Sequence, residues 1–249
     1  MEARAMIHVL LLAAVGVLPP CWDVFDSALR HSASAAHPPY VTYDERISVL
    51  QDGAPLFTSN AHIDYRDDGI ARVSDARFNY EPFITRRTEP GPPELGPYGK
   101  GRTMWLPDEN GLPTIAQIRA AGSMTCTIAD EEWYKTHDTY HLVFRGAAQD
   151  RPTLKDLWVD TRSRDVWKVI LTGPVSFWDD PQSTRALAEF QVELGYSGPY
   201  LVVNHVVWSL SRREYSQRVT YFGEYTYSGY SFPLAMPASY FGDDTAAFQ

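Results

Sequence analysis

Apolar and polar residues alternate with a period of two over much of this chain, the spacing of strands whose side chains point to opposite faces of a sheet. The alternation is cleanest from Ala186 to Leu194. There Ala186, Ala188, Phe190, Val192 and Leu194 share one face, and Leu187, Glu189, Gln191 and Glu193 the other. Tyr200 to Leu210 reads as a nearly continuous apolar strand, and Ser211 to Glu214 as the turn that follows it. Tyr215, Val219, Tyr221, Tyr225 and Tyr227 then line one face of a long strand, opposite Ser216, Arg218, Thr220, Glu224 and Thr226. Such a strand buries rings on one side and meets water on the other. The stretch Phe232 to Phe241 predicts a last edge strand whose prolines deter further pairing.

The first half carries the same signal with clearer punctuation. Asp52-Gly53 and Asp68-Gly69 are hairpin dipeptides that separate strands at Val41 to Gln51, Leu56 to Tyr65 and Ile70 to Tyr80. Pro82 breaks the ladder before Phe83 to Arg87, a short edge continuation. Glu89 to Arg102, with prolines at 90, 92, 93 and 97, reads as a surface loop; its glycines match no phosphate-binding fingerprint. Pro113 to Ala121 predicts a short helix ended by Gly122, with an extended segment as the alternative. Met124 to Lys135 and Thr139 to Phe144 are strands around a turn at Thr136-His137-Asp138. Thr153 to Asp160 and Val166 to Thr172 continue the meander around the polar Thr161 to Asp165. The pattern therefore predicts a mainly β fold, antiparallel strands in meander order with one or two short helices.

A chain of 249 residues suits one large β domain, here from about residue 40 to 249, and its 15 Tyr, 11 Phe and 7 Trp supply rings for a sheet. A net charge of −9 without a basic cluster argues against nucleic acid or an anionic membrane surface as partner. The first 35 residues differ in character. Ile7 to Leu18 is a 12-residue apolar run behind Arg4, too short to span a bilayer as a helix but suited to a secretory signal. Ala33-Ser34-Ala35 would permit cleavage before Ala36, placing the mature protein in the periplasm or cell envelope. Two alternatives stand beside this. Cys21 could carry a lipid anchor, although Pro19 and Pro20 occupy the places where small residues are needed. Or the segment is a retained helix, since Trp22, Phe25 and Leu29 fall at helical spacing. With the signal removed Cys126 would be alone, a small apolar strand residue; with it retained, Cys21 and Cys126 would pair only if geometry allowed.

The run Tyr140-His141-Leu142-Val143-Phe144, then Leu154 to Thr161 and Val166-Trp167-Lys168-Val169, resembles the central meander of bacterial exported proteins with the LolA-like fold. So does the close, Gly223-Glu224-Tyr225-Thr226-Tyr227 leading into Phe232-Pro233-Leu234 and Pro237. The resemblance covers about residues 112 to 241. It implies an open antiparallel half-barrel that holds acyl chains or other apolar ligands on its concave face under helices. The family places a long helix after its signal, whereas here Pro38-Pro39 leads into strands unless Trp22 to Ala33 is that helix.

Candidate chemistry is sparse. Gly195-Tyr196-Ser197-Gly198-Pro199 lacks the last glycine of a nucleophile elbow and reads as a turn. His137 and His141 straddle a turn and a strand rather than one helix face, and neither His62-Asp64 nor His205 completes a metal pattern. Asp67-Asp68, Asp179-Asp180 and Asp243-Asp244 fall in turn-like or terminal text. No catalytic residue, metal or cofactor is expected. What remains is aromatic surface: Trp158, Trp167, Phe190, Trp208, Tyr221 and Tyr225, if gathered on one concave face, would bind an apolar ligand. The expected function is a non-enzymatic exported carrier of a lipid or other apolar molecule. The alternative is an envelope structural or protein-interaction β domain whose rings fill its own core. An enzyme acting on envelope polymers is a third reading without a reactive group to support it.

Overall fold

The computed structural model describes residues 18–67, 71–79, 81–82, 124–146, 153–175, 186–214, 217–237 and 240–241. Strand β1 (Tyr40–Gln51) turns through Asp52-Gly53 into β2 (Ala54–Arg66), both turn residues at positive φ as the dipeptide requires. β3 (Ala71–Phe78) pairs with β2, and Glu81–Pro82 forms a two-residue β4 against Phe78 and Arg77. Pro82 has no N–H to offer a further neighbour. The second run comprises β5 (Thr125–Tyr134), β6 (His137–Arg145), β7 (Thr153–Asp160), β8 (Val166–Val175), β9 (Ala186–Ser197), β10 (Tyr200–Glu214) and β11 (Gln217–Ser231).

Two meanders thus meet. The sheet order is β4-β3-β2-β1-β11-β10-β9-β8-β7-β6-β5, antiparallel throughout; every neighbouring pair is consecutive in the chain except β1 and β11, which meet at a seam, while β4 and β5 stand at opposite edges. The sheet does not close, which makes it an open half-barrel with edges at β4 and β5.

Several boundaries differ from expectation. Lys135, at φ 56°, takes the turn between β5 and β6, so His137 and Asp138 belong to the strand. Residues 211 to 214 extend β10 instead of turning the chain. No strand forms in the described part of 232 to 241: β11 already has β1 and β10 on its two sides, and Pro233 and Pro237 cannot donate to a ladder. Tyr240 and Phe241 instead rest on side chains of β1 to β3, with Phe241 stacked on Tyr40 and the Arg72 guanidinium 4.2 Å from the Tyr240 ring. The readings of Phe83 to Arg87, Glu89 to Arg102 and Pro113 to Ala121 lie outside the described residues.

One helix, α1 (Cys21–Ser34), is present among the described residues. Its buried residues Cys21, Val24, Phe25 and Ala28 recur at helical spacing, with Asp23 in the first turn and His31 in the last, where the helix dipole favours them. Phe25 is completely buried and meets Phe144 edge to face, ring centroids 5.3 Å apart. Burying one such ring stabilises the fold by about 1.5–3 kcal/mol. The helix joins the main core with Leu142, Leu157, Val159, Val169, Val192 and Val202. The stretch read either as the end of a signal or as a helix is helical from Cys21 to Ser34.

Cys21 is disulfide-bonded to Cys126 on β5, Cα atoms 5.7 Å apart. Of the two readings of Cys126, lone strand thiol or partner of Cys21 where geometry allows, the full chain shows the second. The bond also occupies the sulfur that a lipid anchor at Cys21 would need.

Candidate ligand-binding face

Register sorts the side chains of the sheet into two faces. Val41, Tyr43, Glu45, Ile47 and Val49 of β1 stand opposite Tyr65, Ile63, Ala61, Ser59 and Phe57 of β2. Across the seam, Glu45, Ile47 and Val49 stand opposite Tyr227, Tyr225 and Gly223. Val206, Trp208 and Leu210 of β10 continue these rows, followed by Val192, Phe190 and Ala188 of β9 and by Val169, Leu171 and Gly173 of β8. This is the face that carries α1, whose Phe25 and Trp22 lie on Phe144 of β6.

Four of the six expected ring residues meet there. Phe190 and Trp208 are direct cross-strand partners, Tyr221 stands opposite Leu210, and Tyr225 opposite Val206. Phe190, Trp208 and Tyr221 pack on a small cluster of Ala188 and Leu210, and Phe190 also touches the main core. All four are half-buried. Phe57, stacked on the exposed Phe78 with centroids 5.3 Å apart, extends this aromatic surface toward β3.

Gly223 makes the arrangement possible. A Cβ there would fall 2.1 Å from Trp208 Cε2, so the indole lies directly on the glycine backbone of the adjacent strand. The sequence signal was the gap in Tyr221-x-Gly223-x-Tyr225: a glycine on an otherwise aromatic strand face marks a close approach. Ile47, Phe57 and Glu45 on this face were likewise not singled out from the sequence.

Trp158 and Trp167 do not join the other four. Trp158 pairs with His141 and Lys168, on the face away from α1, while Leu157 and Val159 point toward the helix. Register shifts between Leu154 and Asp156 and between Trp158 and Val159 decide this, because each inserts a residue and changes which side chains face inward. The Trp158 ring stacks on His141 at 4.3 Å, lies 4.9 Å from the Lys168 ammonium and donates its N–H to Glu132. Trp167 sits at the second shift, stacked on His137, with its Nε1 donating to Asp160 Oδ2 at 3.4 Å. Both are buried, and both are held by polar partners rather than by the core.

The face away from α1 is polar, and its imidazoles sit on carboxylates. His141 Nε2 is 3.0 Å from Asp156, and His205 Nε2 is 2.7 Å from Glu224 across the β10–β11 pair. His62 lies between Asp44, at 2.8 Å from Nδ1, and Asp64, at 3.3 Å from Nε2. The hydrogen bond with Asp44 pushes the His62 pKa up; burial opposes this, and the charge of Asp64 adds to the rise. Burial favours a neutral Asp160, but the N–H groups of Ser163 and Arg162 outweigh it and hold the carboxyl below its usual range. Near the end of α1, His31 and Tyr196 both bond the buried Asp165; burial and that carboxylate push Tyr196 up to about 12. His137 and His141 share β6 but serve different acids, and no three His, Cys, Asp or Glu side chains among the described residues gather to hold a metal ion.

No protein-family model matches the chain, and no curated protein sequence matches it. Among solved structures, it is similar to a LolA superfamily protein from Nitrosomonas europaea at 12% identity and a TM-score of 0.40, covering 92% of this chain and 100% of that one. A DUF1329 family protein from Desulfovibrio piger gives 11% identity, a TM-score of 0.40 and coverage of 92% and 99%. A putative outer membrane lipoprotein-sorting protein domain from Vibrio parahaemolyticus gives 9%, 0.40, and 88% and 94%. At this level of identity and superposition the likeness decides neither ligand nor partner.

Proposed function

We propose that this chain is an exported, non-enzymatic binding protein that shelters an apolar ligand on the helix-bearing face of its half-barrel. The observation that carries the reading is the contiguous, half-buried surface of Phe190, Trp208, Tyr221 and Tyr225, beside the part of the same face that α1 covers. Rings left part-exposed on the inner face of an open sheet offer a ligand apolar area, which leaves water at roughly 25 cal/mol per Å².

Export is supported by the Cys21–Cys126 disulfide, since such bonds persist in oxidising compartments. An export signal would then end ahead of Cys21, because cleavage before Ala36 would discard the disulfide and the buried Phe25 with it. No helix among the described residues is long and apolar enough to cross a membrane.

A neutral single-chain amphiphile, dodecyl maltoside below its micellar concentration, tests the reading. Its addition is expected to shift the tryptophan emission in a saturable way, with the response reduced in Trp208→Phe. An unchanged spectrum, together with lipid-free protein by native mass spectrometry after gentle purification, would overturn it. One observation favours the alternative of a protein-interaction domain: Trp133, on the edge strand β5, is 74% exposed. An exposed ring on a sheet edge suits strand addition by a protein partner.

A further inference from the structure

Of the two edges of the sheet, β4 is two residues long and includes Pro82, whereas β5 runs for ten residues and pairs, among the described residues, with β6 alone. A strand at an edge presents a row of backbone N–H and C=O groups that another strand can use. Such edges are commonly blunted, and here a register shift between Ile128 and Asp130 does so partway along, leaving Asp130 to Tyr134 as the regular run beyond it. That run lies at the far end of β5 from Cys126, where the disulfide fastens the start of α1.

Register sorts its side chains. Asp130 stands opposite His141, whose partner on β7 is Trp158, so Asp130, Glu132 and Tyr134 face the polar side of the sheet. Glu131 stands opposite Tyr140, which packs on the main core, so Glu131 and Trp133 face the helix-bearing side. Asp130, Glu131 and Trp133 are exposed, Trp133 at 74%. Lys135, the next cation along the chain, reaches Glu193 on β9 at 2.9 Å, and Glu132 accepts the Trp158 N–H. The edge therefore carries one exposed acid on each side of the sheet and an exposed indole beside the second.

These features choose among occupants. Opposite charges facing each other across a strand pair are favourable, and like charges are not. A second copy of β5 laid on the first would bring Asp130, Glu131 and Glu132 of one chain among the same acids of the other, and a net charge of −9 on each chain adds to the repulsion. A strand with basic residues on both faces would instead meet Asp130 on one side and Glu131 on the other. A cation on the Glu131 side would also border the Trp133 ring, whose quadrupole attracts it. Strand addition of this kind draws affinity from main-chain hydrogen bonds and specificity from the alternating side chains.

We propose that the Asp130 to Tyr134 edge of β5 is a docking site for a basic, extended segment of a protein partner, which joins the sheet as a further strand. The site lies apart from the rings of β9 to β11. It rests on the protein-interaction reading that Trp133 favours, and adds the partner's charge and backbone form.

The test measures fluorescence anisotropy of labelled, end-blocked peptides with the full chain. One peptide has two Arg-Arg-Val-Thr repeats, which set arginines on both strand faces. A second has glutamate for arginine, and a third has proline for valine and threonine, which keeps the charge and cannot pair as a strand. The first is expected to bind at least about tenfold more tightly than either of the others, and less tightly as salt rises. Trp133→Ala should weaken it about tenfold, and Asp130→Asn/Glu131→Gln should bring the arginine and glutamate peptides to equal affinity; unfolding curves for each variant exclude loss of fold. Equal affinity of those two peptides for the unsubstituted chain overturns the charge assignment and leaves strand addition standing. Equal affinity of the arginine and proline peptides, or binding unchanged in Trp133→Ala, overturns this edge as the site. Binding of none, with the protein monomeric by sedimentation, overturns the protein-interaction reading as well, whereas a dimer lost in Trp133→Ala would give the edge to a second copy instead.

Discussion

Removing the Cys21–Cys126 bond is the sharpest perturbation available, because it ties the first residue of α1 to an edge strand across 105 residues of chain. A crosslink of this span limits the unfolded ensemble, and the chain-entropy relation for a loop of about 100 residues gives about 4.7 kcal/mol at 25 °C. With a urea m-value of about 3 kcal/mol/M, the midpoint should fall by about 1.6 M on reduction. The native Cα separation of 5.7 Å lies in the normal range for a disulfide. Urea unfolding with and without dithiothreitol, followed by far-ultraviolet circular dichroism and tryptophan emission, measures the shift. Cys21→Ser/Cys126→Ser should match the reduced protein. Coincident midpoints, or two reactive thiols in the native unreduced protein, would refute the reasoning. Separation of the two signals into distinct steps would instead show α1 leaving before the sheet melts, since Phe25 and Trp22 pack on Phe144 beside the crosslink.

Two further predictions follow from side chains. Gly223→Ala should destabilise the fold by about 1–3 kcal/mol and change tryptophan emission, because the new methyl would collide with Trp208; alanine at an unobstructed strand glycine would stabilise, so the sign decides. The raised His62 pKa means the imidazolium is favoured in the fold: its stabilisation should be full below pH about 6.5 and fade as pH rises through the raised value. The melting temperature of wild type over His62→Gln should therefore be highest in mild acid, and a difference independent of pH between 5 and 9 would exclude the Asp44–His62–Asp64 bridge.

The strands of this chain were legible because period-two alternation reports burial directly. The ring-bearing side of β11 and the inward set of β9 stand where alternation put them. What alternation cannot report is an inserted residue. Trp158 and Trp167 flank the register shift in the β7–β8 pair, and a single extra residue turned Trp158 to the polar face. The disulfide was hidden for a different reason. Its formation depends on α1 settling across the sheet onto β5, a contact that no local pattern encodes. Glu45 was passed over because one acid in a strand reads as the solvent side until its partners, Ala61 and Tyr227, are known.

The β1–β11 seam links these points to function. All other pairings join consecutive strands and can form locally, whereas β1 must find β11 after most of the chain has been laid down. Glu45 and Ile47 lie on one side of that seam, and Tyr221, Gly223, Tyr225 and Tyr227 on the other. The row Val49–Gly223–Trp208–Phe190 crosses it outright. The candidate face therefore gains its β1 flank from the pairing with the greatest sequence separation, the kind that forms late because its loop entropy must be met first. A chain that has folded each meander but not joined them would keep Phe190, Trp208, Tyr221 and Tyr225 together on β9 to β11 and lack the flank of Ile47 and Phe57 that β1 and β2 supply. Pairing of β1 with β11 is thus the step that sets Ile47 and Val49 beside the four rings, and a variant that weakens this seam should disturb the flank of the proposed face before its centre.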